Sequence, residues 1–161
     1  MATGTILLPL LAASPDPTNP PGVLFSTAGR PYLAFDTTTD ELCLWTFDVP
    51  VSYASAPVFN VIYSCAVASG TFQPSVEVMG VADAADLDTD AWDTANAATA
   101  TTVPGTIGLQ DTISWALTND GSPSALAANG YAALRLRRDV SGDTAAGDVY
   151  IWAASMQYTT S

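Results

Sequence analysis

The chain has 161 residues, with sixteen acids against four arginines, no lysine and no histidine, and a formal net charge of −12. That inventory removes the commonest general base, the commonest neutral metal ligand, the Schiff-base nucleophile and the usual phosphate clamp, while the charge repels polyanions and anionic membranes, so neither nucleic acid nor a membrane is an expected partner. With 48% apolar and only 12% charged residues, the composition is that of one globular domain with a core of its own.

Residues 1–30 read as an extended N-terminal arm. Pro9, Pro15, Pro17, Pro20 and Pro21, followed by Pro31, forbid a continuous helix. The run Ile6 to Ala13, ILLPLLAA, falls short of the ~20 apolar residues of a membrane span. Interrupted by Pro9 and preceded by no basic residue, it also makes a poor secretory signal. So apolar a terminus is expected to dock on its own domain, a sister subunit or a larger assembly, with Ile6, Leu7, Leu8, Leu10 and Leu11 as its contact residues.

Residues 31–161 carry the text of a β-sandwich. Strands are predicted at Tyr32 to Asp36, Leu42 to Asp48, Val58 to Ala68, Ser75 to Val81, Thr99 to Val103, Thr112 to Leu117, Tyr131 to Arg138 and Val149 to Gln157. Turn residues separate them, including the run Asn119 to Ser124. In the second strand Cys43, Trp45, Phe47 and Val49 are the inward set, and both its faces, like those of the third, are apolar enough to call for a cover. One short helix is predicted at Asp86 to Ala98, its acidic first turn matching the helix dipole and Trp92 plugging the sandwich edge. In the last strand Tyr150, Trp152, Ala154, Met156 and Tyr158 recur with the period of two that one face requires. The expected core is Cys43, Trp45, Phe47, Val61, Ile113, Trp115, Leu134, Leu136, Ile151 and Trp152. The fold class read from the strands is thus all-β: an antiparallel sandwich or barrel of about eight strands with an extended N-terminal arm and at most one short helix.

Candidate chemistry is sparse. Cys43 and Cys65 lie in separate apolar strands without CxxC spacing and read as buried free thiols, with a disulfide as the alternative if their strands are neighbours. Asp86, Asp88 and Asp90 open like an EF-hand loop, within the acidic run that Asp83 and Asp93 complete. The match fails where Ala91 stands for the turn glycine and Ala97 for the bidentate glutamate, which makes capping and solvation the reading, with a looser non-EF calcium site as the alternative. Without histidine no Ser/His/Asp or Cys/His set can form, and neither Glu41 nor Glu77 is placed by spacing in a carboxylate pair. No catalytic residue, metal site or cofactor is expected. Arg135 and Arg137 share a strand face and either pair with nearby carboxylates or grip a neighbouring subunit. Tyr53, Tyr63 and Trp115 are the aromatic residues weighed for stacking on sugars, with core packing as their ordinary use.

Five stretches carry a likeness to a known group: Phe35-Asp36 followed by Asp40-Glu41, Leu87-Asp88-Thr89-Asp90, the Val103-Pro104-Gly105-Thr106 turn, Leu134 to Asp139, and Asp143 to Asp148. Together, over about residues 30 to 159, the chain resembles small phage virion structural proteins with a jelly-roll-like fold; the absence of lysine departs from that group. The resemblance implies a capsid decoration, or cement, protein on the exterior of a phage head. Its partners would be the major capsid protein and, as a homotrimer, itself, with the arm and Arg135 and Arg137 at the contacts. The alternative is a tail- or fibre-associated jelly roll that binds host receptors or glycans. A third reading, from another class, is a secreted carbohydrate-binding module.

Overall fold

The computed structural model describes residues 2–81, 85–88, 92–118 and 125–161. Among them the chain is almost entirely β, with one turn of 3-10 helix at Leu10–Ala12. The strands are β1 (Thr3–Leu8), β2 (Ser14–Pro15), β3 (Gly22–Phe25), β4 (Pro31–Phe35), β5 (Leu42–Asp48), β6 (Tyr53–Cys65), β7 (Thr71–Phe72), β8 (Pro74–Val81), β9 (Asn96–Ala97), β10 (Thr101–Thr102), β11 (Asp111–Ala116), β12 (Tyr131–Arg138) and β13 (Val149–Thr160). Two antiparallel sheets form a jelly-roll sandwich: β11-β6-β13-β4-β3, with β1 also on β13, faces β2-β5-β12-β8-β9. β7 and β10 make a small separate pair.

Alternation in the sequence builds the second sheet. β12 lies between β5 and β8, sending Leu134 and Leu136 into the core and Arg135 and Arg137 outward. In β5, Cys43 and Trp45 are buried, and Val49 just beyond it is too. Cys43, Trp45, Val61, Ile113, Leu134, Leu136 and Ile151 of the expected core are buried, and Phe47 and Trp115 are half-buried against it. Cys43 and Cys65 are buried and unbridged.

Trp152 departs from expectation and faces outward. β13 pairs Ile151 with Tyr63 but Ala153 with Ile62, so Trp152 is an extra residue opposite nothing on β6. Such a bulge reverses which alternate residues face inward. Val149 and Ile151 are buried before it and Ala154, Met156 and Tyr158 after it, whereas Tyr150 and Trp152 lie on the outer face.

The helix expected over Asp86 to Ala98 is corrected. The described residues of this segment are irregular until β9 pairs with the β8 edge. Their backbone groups serve that edge instead of a helix: Asp93 N donates to Val78 O at 2.9 Å and Ala98 N to Pro74 O at 2.8 Å. Side chains compete as well, with Asp86 Oδ1 accepting from Asp88 N at 3.0 Å. Asp83, Asp90, Ala91 and the turn at Asn119 to Ser124 lie outside the described residues.

Residues 2–30, apart from the 3-10 turn, are largely extended and bond to the chain's own sandwich. β1 runs antiparallel along β13 from Thr3↔Thr159 to Leu8↔Ala154. β2 pairs with β5, and β3 with β4. Between β1 and β2, the Trp45 indole N–H reaches across to donate to Pro9 O at 2.9 Å.

Candidate functional site

β4 and β1 lie on the same side of β13, β4 against Val149–Ile151 and β1 against Ala154 onward. The bulge falls between them. There the outer face of the first sheet holds a cleft of about 910 Å³. Leu7 to Leu11 form one wall, the turn Ser26 to Ala28 with Arg30 and Pro31 another, and Gly108 and Gln110 a third. Its remaining lining is Ile62 and Trp152 to Ala154.

Each wall is fixed by its own backbone. Pro9 O, already held by Trp45, also accepts from Ala12 N at 3.0 Å, which closes the 3-10 turn that carries Leu10 and Leu11. The β3–β4 hairpin closes with Ser26 N donating to Arg30 O at 2.9 Å and Arg30 N to Ser26 Oγ at 3.1 Å. Gly29 supplies the left-handed φ of 73° that this tight connection needs. The third wall is tied to the sheet by Gly108 N donating to Cys65 O at 3.1 Å.

Trp152 is held in place on the outer face. Its indole N–H donates to Ser64 Oγ at 2.8 Å, and Tyr32 packs against it with ring centres 4.6 Å apart. Tyr150 continues the cluster, 5.1 Å from Tyr32. Burial, and then the Asp148 carboxylate, push the Tyr150 phenol above its ordinary pKa, so it is a neutral hydroxyl at neutral pH. The cleft therefore combines an aromatic side chain and aliphatic walls with Ser26, Thr27, Gln110 and Arg30 as hydrogen-bonding groups.

The five apolar residues expected at a contact divide between two roles. Leu8 and Leu10 are buried in the chain's own core and Ile6 packs against it, whereas Leu7 and Leu11 are 75% and 63% exposed on the cleft wall. Arg135 forms an ion pair with Glu77, directly opposite on β8. Its guanidinium also sits 4.4 Å from the centre of the Trp92 ring. Arg137 meets Ser75 Oγ at 3.2 Å, Asp40 at 3.4 Å and Asp139 at 3.9 Å. Both arginines thus lie on the other sheet, engaged within the chain, and neither meets the arm residues at the cleft.

Tyr53 and Tyr63 are buried. Trp115 is half-buried, its indole N–H donating to Asn96 O at 3.1 Å. None of the three lines the cleft. Sequence reasoning assigned Trp152 to the core and gave Arg30 and Gln110 no role; a bulge that turns one residue outward leaves no mark in a periodicity, and the hairpin and loop meet only in three dimensions. Among the described residues no group of three His, Cys, Asp or Glu side chains is placed to hold a metal ion. Asp86 and Asp88 belong to a local side-chain turn.

No family model matches the chain, and no curated protein sequence does. Solved structures do match in fold. A family 35 carbohydrate-binding module from an environmental isolate superposes with a TM-score of 0.57 at 13% identity, over 92% of this chain and 90% of that one. The CBM35 module of Cellvibrio japonicus Abf62 gives 0.52 at 14% identity, over 95% and 92%, and a xylan-binding module, CBM15, 0.53 at 11%, over 98% and 97%. The jelly-roll sandwich expected from the virion resemblance is thus an architecture this chain shares with carbohydrate-binding modules.

Proposed function

We propose that the chain is a non-catalytic glycan-binding module, and that the cleft at the β13 bulge is its binding site. The observation that carries this reading is the cleft itself: about 910 Å³, walled by three backbone-pinned segments, with Trp152, Ser26, Thr27, Gln110 and Arg30 converging on it. Sugar rings offer an apolar C–H face beside a rim of hydroxyls, and such a lining meets both, the aromatic and aliphatic groups covering the face while amides, hydroxyls and a guanidinium bond the rim. The shared fold with modules named for carbohydrate binding, one of them for xylan, supports the reading by analogy of architecture. It matches the receptor- or glycan-binding alternative drawn from the sequence more closely than capsid cementing.

The test is binding of the intact chain to neutral xylan and galactan and to acidic polygalacturonate, by affinity electrophoresis and calorimetry. At least one polymer is expected to bind. Trp152→Ala and Leu7→Asp should each weaken that binding about tenfold, the loss of one good contact of about 1.4 kcal/mol. Leu7 is largely exposed, so its substitution alters the cleft without touching the core. A wild-type chain that binds none of the polymers, or binding indifferent to both substitutions, would overturn the reading.

A further inference from the structure

The sixteen acids of this chain are not spread evenly over it. Residues 1–15, 17–35, 49–76, 94–110 and 149–161 contain no Asp or Glu at all. These are the stretches that supply every residue lining the cleft. A molecule of net charge −12 thus builds this cleft wholly from acid-free sequence and sets an arginine at it. Arg135, Arg137 and Arg138 each have a carboxylate within 4 Å, whereas among the described residues Arg30 has none. Arg30 is exposed, and its backbone is clamped by Ser26 on both sides of the hairpin turn.

From this juxtaposition we infer that the cleft selects acidic glycans, with Arg30 receiving the carboxylate of a uronic acid residue; the inference rests on the glycan-binding reading above. An unpaired guanidinium offers two parallel N–H donors whose spacing matches a carboxylate. The acid-free lining matters as much. In an otherwise anionic protein, a carboxylate near the cleft would repel the same ligand, and the lining has none. Ser26, Thr27 and Gln110 remain for the sugar hydroxyls, and Trp152 with the leucines for the ring face.

The deciding experiment compares polygalacturonate with the same polymer after chemical reduction of its carboxyls to primary alcohols, alongside neutral xylan and galactan. It uses the wild-type chain and the variants Arg30→Gln, Arg30→Lys and Leu7→Asp, each first checked for an unchanged thermal unfolding midpoint. The acidic polymer should bind, with affinity about tenfold lower after carboxyl reduction or with Arg30→Gln, the scale of one charge-assisted hydrogen-bonded pair. Arg30→Lys should retain part of that affinity, since it keeps the charge and loses the fork. Equal binding of the acidic and reduced polymers, or an Arg30→Gln variant as good as wild type, would overturn the acidic preference while leaving the glycan cleft standing. Binding to no polymer would overturn both. Self-association that Arg30→Gln abolishes, without any sugar binding, would instead give the cleft to the acidic face of a second copy and likewise overturn the inference.

Discussion

The guanidinium of Arg138, at the end of β12, is fully buried. Its Nε donates to Asp143 Oδ2 at 2.7 Å, Nη1 to Phe35 O and Gly147 O at 3.1 Å each, and Nη2 to Ala145 O at 2.9 Å. It therefore ties the loop after β12 to the end of β4. Nothing in Arg-Leu-Arg-Arg distinguishes this arginine from its neighbours, because the carbonyls that cage it come from two distant parts of the chain. Arg138→Met should destabilise the domain by about 3–5 kcal/mol, since it leaves the Asp143 carboxylate buried without its partner and strips three carbonyls of a donor. Replacing both residues, Arg138→Met with Asp143→Leu, should recover part of that loss. Urea unfolding midpoints of the two variants check this, and equal midpoints for the single and wild-type proteins would mean that the buried pair contributes nothing.

At the level of elements, the sequence was most legible where one strand has two sheet neighbours and one face in the core. β5 and β12 run over the predicted spans, because Cys43-x-Trp45 and Leu134-x-Leu136 alternate without interruption. Legibility failed where pairing overrides local pattern. The β13 bulge changes the phase of a well-patterned strand, and the segment before β9 takes the backbone bonds offered by the β8 edge over those of a helix. It was partial at β1: these residues read as an extended arm expected to dock on its own domain, a sister subunit or a larger assembly, and nothing local reveals that Thr3 to Leu8 align with the far end of the chain. Since Leu8 and Leu10 are core residues and Pro9 O is the acceptor for the Trp45 indole, removing residues 1–12 should cost several kcal/mol, at about 2–5 kcal/mol per lost large core side chain. Gly4→Ala is the subtler probe. A Cβ at Gly4 would fall 2.2 Å from the Tyr158 ring, which is itself held by Ser52 at 3.1 Å and packed on Tyr53. Hydrogen exchange should then show the β1 amides opening, with a smaller loss of stability, about 1–3 kcal/mol. Unchanged protection in Gly4→Ala, or a truncated chain as stable as the full one, would show that β1 is an appendage after all.

Over the whole molecule, most of the exposed apolar side chains come from stretches without acids, Leu87 between Asp86 and Asp88 being an exception. Leu7, Leu11, Val23, Leu24, Phe25, Ile107 and Leu109 are all exposed, and all come from acid-free sequence. Among the described residues Val23 to Phe25 form the outermost strand of the first sheet, an edge that carries no charged side chain of its own to blunt it. Two copies that meet through this side would bury apolar surface, but at −12 each they repel one another at longer range. The balance depends on salt. At an ionic strength of 0.1 M the screening length is about 10 Å, and it shrinks further as salt is added, whereas the gain from apolar burial persists. Self-association, the homotrimer expected from the virion resemblance included, should therefore increase from low to high salt. Light scattering at matched protein concentration would read this as a rising mean mass, and Phe25→Asp should suppress the rise by placing a charge on the edge strand. Association that weakens steadily with added salt would instead make ion pairs the adhesive, pointing back to Arg135 and Arg137. A constant monomer mass across the whole range would leave the trimer without a basis in the free protein.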